Sequence, residues 1–201
     1  MRAFIAAFER TQVSFNSAYD RYREGNQPDA ISAEAKHGKA LFFSERLNCF
    51  QCHQWPLFSD SGKRADLPFE DVAFHNIGLF HLDAAGAYPA EDTGLHDVKG
   101  KAGDMGRFRT PSLSNVAVTA PYFHGGSAAT LYQVIEIYAA GGRNIATGPL
   151  AGDGRRNPHK SLYVREFKLT PVEKRALTVS LNSLTDETFL TNPAFGPPSA
   201  K

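Results

Sequence analysis

Two cysteines and a histidine fall within five consecutive positions, Cys49-Phe50-Gln51-Cys52-His53, and the chain has no other cysteine. In C-x-x-C-H the two thiols are spaced to add across the vinyl groups of a porphyrin, and the imidazole beside the second thiol is left beneath the iron. The motif therefore predicts one covalent c-type haem, with Cys49 and Cys52 as thioether anchors and His53 as the proximal ligand. No cysteine remains for a disulfide.

Other uses of C-x-x-C fit less well. A thioredoxin-like redox site wants the motif just after a strand in an alternating β/α pattern, whereas a helical pattern precedes it here. Zinc needs two further ligands. His53 with His75 or His81 could supply them in principle, but no second C-x-x-C is present.

The elements that must hold the motif are helices. Ser32 can cap a helix through Phe43, whose apolar set Ala35, Ala40, Leu41 and Phe42 would carry the haem motif off its C-terminal end. Thr130 and Gln133 form a T-x-x-Q capping box before Leu131, Val134, Ile135 and Tyr138, which recur at i, i+3, i+4 and i+7. Gly141 and Gly142 stop that helix. Thr170, Pro171 and Glu173 start another, with proline at the first helical position and Leu177, Leu181 and Leu184 on one stripe. Met1 to Arg10 predicts a further helix that packs Phe4, Ala7 and Phe8 on one face. Strand signals are thin, so the expected fold is all-α. From Gln54 to Ser127 the chain is dense in Gly, Pro, Asp and His without a sustained period, which predicts functional loops wrapped around the haem.

The chain has 201 residues, 42% of them hydrophobic, which suits one soluble domain. A net charge of +1 supplies no global field for nucleic acid or an anionic membrane. The basic cluster Arg155, Arg156, His159 and Lys160 is local and predicts a solvated loop. No apolar run approaches the ~18 residues of a membrane span. Covalent haem attachment in bacteria takes place outside the cytoplasm, so a periplasmic location is expected. The opening MRAFIAAFER carries no signal-peptide cleavage site.

Five segments, taken in order, resemble the bacterial di-haem cytochrome c peroxidases and, within them, the MauG-like branch. They are HGKALFFSERLNCFQCH at 37–53, FSDSG at 58–62, FHNIGL at 74–79, GRFRTPSLSNVAVTAPYFHGG at 106–126 and ATLYQVIEIYAAGG at 129–142. The nearest flavour is that of the methanobactin-associated di-haem enzymes, which oxidise a tryptophan of a partner protein. Members of the family join two cytochrome c folds, an N-terminal haem that meets peroxide and a C-terminal haem that stores or relays the oxidising equivalents. The chain resembles the second of these. The resemblance implies a cytochrome c domain at 31–190, and the sequence on either side reads as an N-terminal helical segment at 1–30 and a mobile tail at 191–201. It also implies an N-terminal haem domain that this chain lacks and an electron-donor or substrate protein as partner. An independent mono-haem electron-transfer cytochrome without peroxidase activity is the alternative.

The resemblance also implies a distal ligand. Peroxidases of the family place a methionine on the helix after the PYxHxG loop and MauG-like enzymes place a tyrosine there. Tyr138, in IEIYAAGG, falls on that position, whereas periodicity alone would make it a core aromatic. Axial identity is a main lever on haem reactivity, and phenolate is a hard donor that favours ferric and higher-valent iron. Met105 and His124 are the other candidates for the sixth position. His124 and His75 are expected to hydrogen-bond near the haem or to fix loops, Trp55 to edge the haem, and His37, His81, His96 and His159 to be exposed. The family's calcium site implies the backbone carbonyls of Thr119 and Pro121. Ser114 and Gly125 depart from the family pattern, which has an arginine and an acidic residue there.

Overall fold

The computed structural model describes residues 2–61 and 73–196. Gly62, which closes the FSDSG segment, and residues 197–201 of the tail lie outside the described residues. Helices α1 (Arg2–Glu9), α2 (Ala18–Arg23), α3 (Ala33–Phe42), α4 (Leu95–Lys99), α5 (Leu131–Ala139), α6 (Pro171–Asn182) and α7 (Glu187–Leu190) carry the chain. The strands are residue pairs. β1 (Phe74–His75) lies antiparallel to β2 (Phe108–Arg109) with His75 opposite Phe108, and β3 (Asn144–Ile145) lies antiparallel to β4 (Gly152–Asp153) with Asn144 opposite Asp153. The architecture is the helical one expected, with long loops between helices.

Each of the three capping signals does what its chemistry predicts. Ser32 Oγ accepts the Ala35 N–H at 3.1 Å. Thr130 Oγ1 accepts the Gln133 N–H at 3.2 Å while Gln133 Oε1 accepts the Thr130 N–H at 3.3 Å. Thr170 and Glu173 repeat the exchange, and Pro171 opens α6. Free N–H groups at each helix start are thus satisfied locally.

The main core forms where α3 crosses α6. Ala35, Leu41 and Phe42 meet Leu177, Leu181 and Leu184, joined by Tyr19 from α2, Phe58, and Leu131 and Ile135 from α5. The crossing is close because Gly38 faces Ala176, where an added Cβ would stand 1.9 Å from the Ala176 carbonyl oxygen. Only glycine lets the two backbones approach this far.

The loop-rich middle has a small core of its own. Leu79, Phe80 and Tyr88 are buried together with Met105, Phe108, Phe123 and Ile137 packed against them. Asn76 organises it: its Oδ1 accepts the Gly78 N–H and the Tyr88 hydroxyl, each at 2.8 Å, and its Nδ2 donates to the Met105 carbonyl at 2.9 Å. Asn157 Nδ2 donates to the carbonyls of Phe80 and Gly86 at 2.8 and 2.9 Å. Buried amides therefore satisfy loop backbone that no ladder reaches. The loops expected to wrap a haem thus also carry a small core of their own.

The N-terminal helix forms, but its apolar face stays open. Phe4 is 81% exposed, and Phe8 meets Phe195 edge-on at 6.3 Å. Periodicity tells which residues share a face, and the face still needs a partner. The following segment is tied down instead by polar groups. Asp186 accepts the Asn16 N–H at 2.9 Å, and Asn115 donates to Ser14 Oγ at 2.9 Å while accepting the Asp186 N–H at 2.7 Å. Among the described residues no helix is long and apolar enough to cross a membrane.

Candidate haem site

α3 ends at Phe42, and the chain then turns into a single 3-10 turn, Cys49–Gln51, entered through Asn48 in the left-handed region at φ 57°. Asparagine tolerates that conformation better than most residues. The His53 N–H donates to the Cys49 carbonyl at 3.0 Å, closing the motif into a compact loop. Cys49 and Cys52 are half-buried and unbridged. Burial pushes the Cys49 thiol up to about 12, so it stays a thiol at neutral pH.

His53 Nδ1 lies 2.7 Å from the Phe58 carbonyl oxygen. A carbonyl can only accept, so Nδ1 carries the proton and Nε2 keeps its lone pair. Burial also holds His53 below the usual imidazole range, and the neutral ring is the form that binds metal. Phe58 reaches this position at φ 50°, a strained conformation for an aromatic residue, with its ring in the main core against Tyr19 at 5.3 Å. The core thus anchors the residue that orients the imidazole.

Tyr138 comes from the last turn of α5. Burial pushes its hydroxyl far above the ordinary phenol range, with further contributions from Cys52 and Cys49. The phenol therefore sits within electrostatic reach of both thiols. Phe123, also left-handed at φ 65°, places its ring 6.1 Å from that of Tyr138. Lys160 Nζ donates to the Gly141 carbonyl at 2.6 Å, putting a cation at the C-terminal end of the tyrosine's helix. So α5, the haem-motif turn and the Lys160 loop converge on one place.

The remaining candidates are distributed differently. Met105 belongs to the small core beside Phe108. His124 stacks on Phe108 with ring centroids 3.7 Å apart, and its Nε2 is 4.0 Å from an Asp92 carboxylate oxygen. His75 pairs with Asp60 at 2.6 Å. His37 is exposed as expected, whereas His81, His96 and His159 are half-buried, each with a ring nitrogen on a backbone carbonyl. They fix loops, a role that sequence spacing does not reveal. For zinc, the structure brings Cys52, Asp60 and His75 within 4.8 Å of one another and leaves His81 on the Asp153 carbonyl. Thr119 and Pro121 lie on an exposed loop, and Thr119 Oγ1 donates to the Val116 carbonyl at 3.0 Å. Sequence spacing does not mark Asp60, Asn157 or Lys160 as site residues. Asp60 lies inside FSDSG and Lys160 inside the basic cluster expected to be solvated, where its amine instead reaches the Gly141 carbonyl, and nothing local marks Asn157.

The donor set suits a c-type haem. Two free thiols and an imidazole whose Nδ1 is tied down share one turn, and among the described residues no group bonds His53 Nε2, while both thiols influence the half-buried Tyr138 phenol. Among the described residues, Trp55 Nε1 and Ser127 Oγ, from the segments after the haem motif and after the PYFHGG loop, are buried without a protein hydrogen-bond partner, as is the Tyr19 hydroxyl in the main core. Such donors match the propionate oxygens that a haem carries.

Comparison with known proteins places this geometry in a family. No family model matches the chain. The cytochrome-c peroxidase IdrP1 of Pseudomonas sp. (strain SCT) is 34% identical over 90% of this chain and 48% of its own length. The methylamine utilization protein MauG of Methylorubrum extorquens is 29% identical over 92% of this chain and 44% of its own length. A crystal structure of a MauG-like protein associated with microbial copper homeostasis superposes with a TM-score of 0.88 at 44% identity, covering 92% of this chain and 52% of that one. The chain belongs to the di-haem cytochrome c peroxidase/MauG family and has its cytochrome c fold. It spans about half the length of the curated relatives it matches.

Proposed function

We propose that this chain binds one haem c through Cys49 and Cys52, with His53 as proximal and Tyr138 as distal ligand. In this reading it serves as the C-terminal haem domain, at 31–190, of a periplasmic MauG-like di-haem peroxidase. The observation that supports the reading is His53 Nδ1 held on the Phe58 carbonyl within the C-x-x-C-H turn, together with a half-buried Tyr138 phenol at the end of α5 whose titration both thiols influence. When bound, the haem supplies one-electron chemistry and, with a phenolate ligand, stabilises oxidised iron. The protein supplies the rest. The Phe58 carbonyl holds the His53 proton on Nδ1, the main core sets Phe42 beside the His53 ring, and Lys160 donates to the Gly141 carbonyl just past the end of α5.

Partners in this reading are an N-terminal haem domain that meets peroxide and an electron-donor or substrate protein. Electrons cross from that partner over a distance, without direct substrate contact at this site. A calcium ion on the carbonyls of Thr119 and Pro121 belongs to the same proposal. These two oxygens fall well short of the ~6–8 that calcium takes, so further donors must come from the adjoining domain.

The test is ferric and ferrous absorption and EPR of protein made with the c-type maturation machinery, comparing wild type with Tyr138→Phe. Covalent haem in both, with loss of the six-coordinate low-spin signature in the variant alone, is the expected result. Indistinguishable spectra would remove Tyr138 as ligand.

A further inference from the structure

The haem motif has a buried charge pair beside it that the proposed ligation does not use. His75 Nε2 and Asp60 Oδ2 are 2.6 Å apart, and the two side chains are only 14% and 11% exposed. Together with Cys52 Sγ they form a group whose ligand atoms all lie within 4.8 Å. The Asp60 hydrogen bond, followed by contact with Cys52, lifts His75 to about 9. Burial alone would raise Asp60, yet hydrogen bonds from His75 and the Thr110 side chain hold it below the usual carboxylate range. The pair is therefore zwitterionic at neutral pH.

Holding the loop does not require this pair. Ser59 Oγ donates to the Thr110 carbonyl at 2.7 Å, Ser61 Oγ donates to the Ala73 carbonyl at 3.1 Å, and Ser61 Oγ accepts the Thr110 N–H at 3.1 Å. Neutral hydroxyls on both sides of Asp60 already stitch the segment to β2 and to the start of β1. Buried ion pairs are weak stabilisers, because desolvation offsets their attraction. What an ion pair does that serines cannot is place charge next to the second haem-anchoring sulfur.

We propose that Asp60 and His75 form a positioning pair whose imidazolium offsets the Asp60 carboxylate at the Cys52 edge of the haem and thereby keeps the reduction potential of the iron from falling. The imidazole nitrogen and the carboxylate oxygen both lie within 4.8 Å of the Cys52 sulfur, so each charge of the pair is felt at that edge. A lone carboxylate there would favour the ferric state; the imidazolium 2.6 Å from it cancels that effect. The inference rests on covalent haem at Cys49 and Cys52.

The experiment is spectroelectrochemical titration of mature wild type, His75→Gln and the double variant Asp60→Asn/His75→Gln at neutral pH, with covalent haem counted by intact mass. His75→Gln leaves a lone carboxylate, and its ferric-to-ferrous ratio at fixed ambient potential is expected to rise about tenfold, ~59 mV for one electron. The double variant carries no charge and should return close to wild type. Where the single variant fails to mature, the wild-type potential is followed as pH rises through the His75 titration, and it must fall in wild type and not in the double variant. Equal potentials in wild type and His75→Gln, or a double variant as low as the single one, would overturn the pair's role. Wild type without covalent haem would instead overturn the haem reading itself.

Discussion

The α3–α6 crossing and the loop region around Asn76 flank the same site and are held together by different physics. At the crossing, apolar stripes bury one another and a single glycine, Gly38, sets how near the backbones come. Around Asn76, the apolar cluster is small and two buried asparagines bind loop carbonyls and amides directly. Gly154 packs there with its added Cβ position 2.1 Å from the Gly78 carbonyl oxygen, so loop lies on loop as closely as helix on helix. The helical side gains from area removed from water and tolerates exchanges that conserve volume. The loop side gains from satisfied polar groups, which tolerate almost no exchange.

The comparison can be broken first at Gly38. Gly38→Ala should cost about 3 kcal/mol, even after the gain of ~1 kcal/mol in helix propensity, because the methyl group meets backbone and not a movable side chain. Urea unfolding measures this, and a variant as stable as wild type would refute the close crossing.

Asn76→Leu should cost about 2 kcal/mol, since a residue of similar size leaves the Gly78 N–H, the Tyr88 hydroxyl and the Met105 carbonyl without their partner. Hydrogen exchange at Gly78 and Leu79 should accelerate with it. Equal stability for Asn and Leu at this position would mean that the loop region is held by apolar contact after all.

The seam between the two regions is sharpened by pH. The Asp60 hydrogen bond raises the folded-state value of His75, so its contribution is complete below its ordinary 6.5 and is lost as pH climbs through that raised value. Asp60 has a lowered one, so its contribution is present above its ordinary 3.8 and is lost as pH falls below that. The unfolding free energy of the holoprotein, read by urea unfolding across pH, should therefore fall on the alkaline side by about 1–2 kcal/mol, the Cys52 share having gone with thioether formation. His75→Gln should flatten that limb, and an unchanged limb in the variant would assign it to other groups.

The smallest effect is expected at the cap of α5. Thr130→Ala should cost about 1 kcal/mol and Thr130→Ser should recover most of it, read by thermal unfolding. If alanine is neutral, the packing of Leu131 and Ile135 alone starts the helix.

What was legible in the sequence had a short range. The haem motif, the Ser32, Thr130 and Thr170 caps and the leucine stripe of α6 each depend on residues within a turn or two of one another, so spacing alone identifies them. The ligand role proposed for Tyr138 rests on the family resemblance, since a helical stripe gives a ligand and a core aromatic the same spacing. The open face of α1 shows the complementary failure, for its period was plain and its burial was not.

By itself the sequence determined that two thiols and an imidazole would share one turn and that capped helices would frame them, because bond geometry and the 3.6-residue period act locally. Only the tertiary structure decided that Asp60 would meet His75, that Asn157 would reach the carbonyl of Phe80, that Lys160 would close the end of α5, and that Phe58 would turn its carbonyl to His53. Most of these contacts join residues far apart along the chain. Their partners are chosen by which backbone groups the folded loops leave unsatisfied, and that set does not exist until the loops are in place.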